Sequence, residues 1–382
     1  MTEYQIKFSE PFLVGEELNY ISQCLSSGQI SGDGRFTREC EDILSTISKT
    51  KETLLTTSCT DALEMALLLC DLEPGDEVLI PSFNFSSAPA VALSLGLVPI
   101  FVDIDPVNLN IDPNLIEPAI TKRTRSIIPI HYGGVPAEID SINELASRNN
   151  LIVIEDNAHS LGSSLNGKPL GSYSDVSTLS FHSTKNISCG EGGALQTSNV
   201  EFIDRAHILR EKGTNRRSFI DGNVDKYTWV DLGGSFLPSE YTAAYLLAQL
   251  ENYEEIQQNR IQMWNTYREE LDNWAESNRV SLAPIPQPNV NYSGHIFWLL
   301  FEDPQTRDEF IDWMYRNSIQ VTTHYRSLNS APASRKFQLG KTFTPVSDAT
   351  ANQLVRLPLH GNMTSEQVLQ VCTVIRQFEK KP

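Results

Sequence analysis

The chain is short of positive charge. Its 382 residues carry 30 Lys and Arg against 48 Asp and Glu, a formal net charge of −18. Nucleic acid is held by a basic surface, so this balance excludes it as a main partner. Long apolar runs are missing too, and no charged-then-apolar leader opens the chain, so no membrane insertion is expected. The six cysteines, Cys24, Cys40, Cys59, Cys70, Cys189 and Cys372, show neither CxxC spacing nor a pairing with His suited to zinc. No metal site is expected, and the thiols read as free in a cytoplasmic protein. Repeats, low-complexity tracts and coiled-coil heptads are absent as well.

What is present is an alternation of strand and helix. Apolar runs at 54–57, 77–80, 98–104, 126–131, 151–155 and 194–197 read as strands, with helical stretches at 61–70, 139–148 and 200–211 among them. The run 151–155 is apolar almost throughout, as expected of a central parallel strand covered on both faces. Helices are expected at 15–25 and 36–47. Asp112 before Pro113 marks a further helix start running to about 120. Pro238 suits the start of a long helix through 249 and on to about 274, bridging two parts of the chain. Residues 275–293, rich in Pro and Asn, read as a linker. Strands at 295–301 and 320–325 and helices at 307–316 and 365–378 follow. The pattern predicts an α/β fold: a large, mostly parallel central sheet over 1–250, with an N-terminal arm, and a smaller C-terminal α+β domain over 251–382.

Three strand ends carry chemistry. The stretch Ser177 to Gly193 leaves a half-apolar strand for a polar loop holding one lysine, Lys185, before the glycine-rich exit Gly190-Glu-Gly-Gly193. The strand at 151–155 delivers Asp156 and then His159. The strand at 54–57 turns through Ser58, Cys59 and Thr60 into an apolar helix. In an open α/β sheet, ligands gather at the carboxyl ends of the strands, so all three sets reach one edge. A Lys can bond to an aldehyde, an Asp can hold a pyridine nitrogen protonated, and a helix mouth can seat a phosphate. Together they suggest pyridoxal 5′-phosphate.

Ser180-Phe-His-Ser-Thr-Lys-Asn186 followed by Gly190-Glu-Gly-Gly193 resembles the DegT/DnrJ/EryC1/StrS family of nucleotide-sugar aminotransferases, and the resemblance runs from Phe8 to Leu359. The segments Arg210 to Arg216 and Val224 to Trp229 are similar to the branch that aminates C4 of TDP-4-keto-6-deoxyglucose for surface polysaccharides of the O-antigen or enterobacterial common antigen type. The resemblance implies the fold type I, aspartate aminotransferase-like architecture. It also implies a homodimer with shared active sites, L-glutamate as amino donor and a nucleotide-linked keto-sugar as acceptor.

By the same resemblance, Lys185 is catalytic and carries the cofactor, while Asp156 faces its ring nitrogen. His159 lies beside the ring, Phe85 stacks on it, and Cys59, Thr60 and Ser180 hold its phosphate. Ser235 stands where most members have an Asn reaching the partner subunit's phosphate, and its shorter hydroxyl can serve through water. Arg216, His324 and Tyr325 are candidates for the sugar-nucleotide. A diphosphate needs cations focused in the cleft, and Arg210, Lys212, Arg216, Arg217 and Arg326 are available. An equatorial C4 amine, a C3 amine, or a binding paralogue without activity are the alternatives to an axial C4 amine.

Overall fold

The computed structural model describes residues 4–339 and 342–379. Helices α1 (Glu17–Ser27) and α2 (Arg35–Ser48) come first, close to expectation. No side chain of its own turn caps α2. Glu240 does so from far along the chain, its buried carboxylate accepting from the N–H groups of Gly34, Phe36 and Thr37 at 2.9 to 3.1 Å. A carboxylate at a helix N-terminus satisfies unpaired donors and complements the helix dipole.

The alternation then unfolds as β1 (Glu52–Thr56), α3 (Cys59–Leu69), β2 (Glu77–Pro81), α4 (Ser87–Ser94), β3 (Val98–Val102), α5 (Ile116–Ala119), β4 (Thr124–Ile127), α6 (Ile139–Asn149) and β5 (Ile152–Asp156). A small hairpin, β6 (Ser164–Leu165) and β7 (Lys168–Pro169), precedes β8 (Val176–Ser180), β9 (Gly193–Thr197) and α7 (Val200–Arg210). The central sheet has seven strands in the order β1-β9-β8-β5-β4-β2-β3. Strands β2, β3, β4, β5 and β8 pair in parallel, and β9 runs the other way between β8 and β1. Helix α3 is buried at Ala62, Leu63, Met65, Ala66, Leu67 and Leu69 and packs with Leu54, Val78, Ile154 and Leu195 of the sheet. On the other face Leu55, Leu179 and Ala194 pack with Phe36, Leu44 and Leu247.

After the short α8 (Arg216–Ile220) come α9 (Glu240–Glu251) and α10 (Tyr253–Asn278), which are two helices rather than the one expected. The break falls at Asn252, where φ −105° and ψ 15° leave the helical region and the side chain donates back to the Ala248 carbonyl. Asn competes for backbone groups in this way and is a poor interior helix residue. The remainder comprises β10 (Ser281–Leu282), β11 (Val290–Asn291), β12 (Trp298–Leu300), α11 (Pro304–Arg316), α12 (Pro332–Lys336), α13 (Pro345–Gln353), β13 (Leu354–Arg356) and α14 (Ser365–Arg376). Strands β10, β12 and β13 form a small antiparallel sheet, and β11 joins the β6–β7 hairpin.

Three other expectations change. The strand at 126–131 ends at Ile127, because Pro129 has no N–H for the ladder. Instead of a helix to 120, Pro113–Leu115 form a 3₁₀ turn and α5 is one turn long. Residues 320–325 form no strand: β12 takes β13 as its partner, and Thr322 keeps a single bridge to Arg356. That irregular stretch brings His324 and Tyr325 to the site. The N-terminal arm reaches the same region, where Gln5 and Ile6 donate to the Ser318 carbonyl.

Candidate active site

At the carboxyl edge of the central sheet lies a cavity of about 1090 Å³. Cys59 and Thr60 enter from the turn after β1, Phe85 from the loop after β2, Asp156 and His159 from the end of β5, and Ser180 and Lys185 from β8 and its loop. His324 and Tyr325 close it from the C-terminal part. Nine of the sequence candidates therefore share one space.

The Lys185 loop is a tight antiparallel turn from β8 into β9. Phe181 donates to the Gly192 carbonyl, Cys189 to Phe181, and the Lys185 N–H to His182, each at 2.8 to 2.9 Å. Asn186, next in the chain, ties the loop down: its amide donates to Gln257 Oε1 and the Ser293 carbonyl at 2.8 Å, and its oxygen meets His295 Nδ1 at 2.7 Å. The Lys185 amine has no hydrogen bond or ion pair among the described residues. Burial pushes its pKa down to about 8, and the positive charge of Arg356 pushes the same way. A lysine in this condition is an available nucleophile near neutral pH.

Strand periodicity separates the two acids at the end of β5. Side chains alternate between faces, so Glu155 and Asp156 look opposite ways. Glu155 accepts from Gly171 N–H at 2.9 Å and Ser174 N–H at 2.7 Å and meets His131 Nε2 at 2.9 Å. Asp156 lines the cavity with one backbone donor, Ala158 N–H at 3.1 Å, and burial raises its pKa. It makes no ion pair within the described residues.

His159 is held by both ring nitrogens. Nδ1 accepts from Gly133 N–H at 3.2 Å and Nε2 meets the Tyr325 hydroxyl at 3.2 Å. Burial, aided by the charges of Lys185 and Arg356, drives its pKa well down, so the ring is neutral. The rings of His159 and Tyr325 lie 15° from parallel with centroids 6.4 Å apart.

At the mouth of α3 the N-cap is Ser58, whose hydroxyl accepts from Asp61 N–H at 3.1 Å. The N–H groups of Cys59 and Thr60 have no hydrogen-bond partner among the described residues, and the Thr60 hydroxyl meets Ser87 Oγ at 2.8 Å. Gly193 allows this arrangement: a Cβ there would come within 2.4 Å of the Cys59 nitrogen. Two N–H groups without a partner among the described residues, beside the Thr60 and Ser87 hydroxyls, are the donors a helix mouth offers to an anion.

Two candidates lie elsewhere within a single copy of the chain. Arg216, in α8, donates from Nη1 to both carboxylate oxygens of Glu211 at 2.9 Å. Ser235 is exposed and bridges Glu211. The expected cleft cations also sort differently. Arg210 is buried against Asp33 and Glu41 at 2.9 and 2.6 Å, and Arg217 pairs with Asp221. Arg326 does line the cavity, joined by Arg307, Arg335 and Arg356, which the sequence reading passed over. Asn186 and His295 were also missed. Asn186 closes the very motif that singled out Lys185, and that was the available signal.

The model of the DegT/DnrJ/EryC1/StrS aminotransferase family matches residues 11–376. A GDP-perosamine synthase of Caulobacter vibrioides is 30% identical over 98% of each chain, and the spore coat polysaccharide biosynthesis protein SpsC of Bacillus subtilis is 28% identical over 98% of this chain and 97% of its own. Among solved structures, a sugar aminotransferase of Streptococcus pneumoniae in its PMP form superposes with a TM-score of 0.89 at 26% identity, covering 98% of this chain and 97% of that one.

Proposed function

The chain belongs to the DegT/DnrJ/EryC1/StrS aminotransferase family, and from that membership we propose that this sugar aminotransferase uses pyridoxal 5′-phosphate to move an amino group from L-glutamate to C4 of TDP-4-keto-6-deoxy-D-glucose. The product is TDP-4-amino-4,6-dideoxy-D-galactose, made in the cytoplasm for a surface polysaccharide. One observation carries the reading: a lysine brought to a pKa of about 8 shares a cavity with a buried acid and an open helix mouth.

The donor set fits the cofactor at each end. Phosphate would take the free N–H groups of Cys59 and Thr60 and the hydroxyls of Thr60 and Ser180, at the positive end of α3. Asp156 would face the ring nitrogen, with its single backbone donor leaving carboxylate capacity to spare. His159 would lie beside the ring, its orientation fixed by Gly133 and Tyr325. Phe85, 59% exposed at the cavity wall, would cover one ring face. When bound, the cofactor supplies an electron sink for the carbon that carries the amine.

Lys185 would hold the cofactor, and its amine would carry a proton to or from the reacting carbon. An amine with a pKa near the working pH gives and takes that proton readily. Asn186, fixed by Gln257, Ser293 and His295, keeps the lysine loop from drifting. Arg326 and Arg335, exposed at the cavity wall, are placed to meet a nucleotide diphosphate. Residues 1–250 would carry the cofactor, and 251–382 would close over the substrate.

A homodimer would complete the site, bringing Ser235 and Arg216 of a second copy to this cavity. Exposed apolar residues support that assembly: Leu18 at 80%, Trp229 at 73% and Leu232 at 60%, with Ile220 and Val230 beside them in sequence. A GDP-linked 4-keto sugar is the second reading, favoured by relatives named GDP-perosamine synthases. Incubation with pyridoxal phosphate, glutamate and either TDP- or GDP-4-keto-6-deoxyhexose, followed by NMR, decides. An axial C4 amine on TDP is the expected result. An equatorial amine changes the product, amination of the GDP sugar alone changes the nucleotide, and no amination of either sinks the C4 assignment.

A further inference from the structure

His295 stands in the stretch between β11 and β12 and lines the cavity with Lys185 and His159. It is 4% exposed. Its backbone is fixed from α10, where Arg260 donates to its carbonyl at 2.9 Å, and the Ser293 hydroxyl two residues earlier donates to the His159 carbonyl at 3.1 Å. The ring is held as firmly. The Asn186 amide nitrogen donates to the Ser293 carbonyl, which can only accept, so the Asn186 oxygen is the atom that meets His295 Nδ1 at 2.7 Å. Nδ1 therefore carries a proton. Burial above all, with the charges of Lys185, Arg260 and Arg356 adding to it, pushes the pKa well below the usual value, so the ring is neutral and Nε2 holds a lone pair. That nitrogen has no hydrogen-bond partner among the described residues. His159 does not serve it although the two rings are 4.7 Å apart, because His159 Nδ1 takes the Gly133 N–H and its Nε2 meets Tyr325. One buried acceptor is left at the cavity, its tautomer set by the residue that follows Lys185.

We propose that His295 is a specificity-determining residue whose Nε2 accepts a hydrogen bond from the sugar hydroxyl next to the reacting carbon, the C3 hydroxyl of a 4-keto-6-deoxyhexose. This rests on the C4 amination reading and adds the contact that orients the sugar ring. The chemistry of the two reactants decides which of them the acceptor serves. A neutral lone pair needs a donor. In an α-amino acid the amine is the reacting group itself, and the other polar groups of glutamate are carboxylates, which a lone pair repels. In the sugar, C4 has two neighbours: C5 carries the ring oxygen and a methyl group, and C3 carries a hydroxyl. One donor beside the reacting carbon thus matches one acceptor tied to the lysine loop. Because Asn186 links His295 to the residue beside Lys185, a sugar held at C3 presents C4 to the amine. A site built around a buried acceptor rejects an analogue without the hydroxyl, since the acceptor is then left unpaired.

The test separates the two ring nitrogens. H295N puts an amide N–H where Nδ1 stands, which keeps the tie to Asn186 and deletes the acceptor; H295Q puts an amide where Nε2 stands and gives up the tie. Cofactor-loaded wild type and both variants are titrated by calorimetry with TDP-6-deoxy-D-galactose, which has no carbonyl and does not react, and with the same compound lacking the C3 hydroxyl. The wild type is expected to bind the full sugar roughly tenfold more tightly than the 3-deoxy sugar. H295N is expected to bind both as weakly as the wild type binds the 3-deoxy sugar, with the visible absorbance of its cofactor unchanged, and H295Q to recover part of the preference. A wild type that binds the two sugars equally overturns the assignment, as does an H295N protein that keeps the wild-type preference. If H295N loses its cofactor, H295Q decides, and the absence of any preference there overturns the assignment too. A wild type that binds neither TDP sugar overturns the TDP reading instead, and the GDP-linked pair then tests His295 by the same comparison; binding of neither pair overturns both.

Discussion

Buried charge is handled in two ways in this molecule. Behind the site, three buried charges are matched: Glu155 with His131 and two backbone donors, Arg210 with Asp33 and Glu41, Glu240 with the start of α2. In the cavity, among the described residues, Lys185 and Arg356 have no anionic partner, Asp156 has one donor, and two N–H groups of α3 have no acceptor. The first set is closed and serves folding. The second is open, with donors and charges turned to the cavity. Functional sites are where a fold leaves such accounts unsettled.

The strongest way to break this comparison is to remove its central member. Lys185→Ala takes an unpaired amine out of the interior, so the protein is expected to keep its melting temperature while losing covalent cofactor and at least roughly 10³-fold in activity. Visible absorbance of a covalently held cofactor in the variant would mean that another lysine serves. The wild type carries a second signature. A lysine with a pKa of about 8 loses its proton well before an ordinary one near 10.5. Below pH 8, capture of pyridoxal phosphate by the cofactor-free protein is expected to slow about tenfold per unit, and above it to level off. A rate still climbing at pH 9 to 10 would point to an exposed lysine.

Neighbouring acids sharpen the contrast next. Glu155→Gln disturbs three saturated contacts and is expected to cost about 2 to 3 kcal/mol of stability. Asp156→Asn removes a charge that burial already opposes, so thermal melting is expected to stay put or rise while turnover falls roughly 10²-fold or more. Denaturant titration and initial rates on the two variants read both effects. Equal loss of stability in both would show that the cavity acid is structural.

The sequence made the open set easier to see than the closed one. Lys185, Asp156 and the α3 mouth each sit at a strand end inside a short local pattern, and strand ends converge whatever the details of packing. Alternating strand and helix likewise exposed the central sheet, because both signals are local. Partners made at long range were not legible. Arg210 reads as a spare cation until the fold brings Asp33 and Glu41 to it, and nothing in the sequence marks Arg356 until β13 carries it to the cavity. The break at Asn252 turns on a single side chain taking a backbone carbonyl, and the irregular 320–325 on β12 choosing β13. Neither choice leaves a periodic trace.

Two phenylalanines in one loop give the smallest and cleanest contrast. Phe83 is fully buried, edge-on to Tyr132 and Tyr325 at 5.3 and 5.6 Å, whereas Phe85 is 59% exposed with Tyr325 6.1 Å away. Phe83→Ala empties a packed site and is expected to cost about 3 to 5 kcal/mol. Phe85→Ala opens no cavity, so stability should move by less than about 0.5 kcal/mol. What Phe85 lacks within the chain is a second surface for its ring, and a flat heteroaromatic cofactor would supply one. Stacking of this kind contributes about 0.5 to 1.5 kcal/mol, so cofactor affinity measured by equilibrium dialysis should weaken roughly two- to twelvefold. An unchanged affinity would move the ring from the cofactor to the sugar, and with it the wall against which the substrate is oriented.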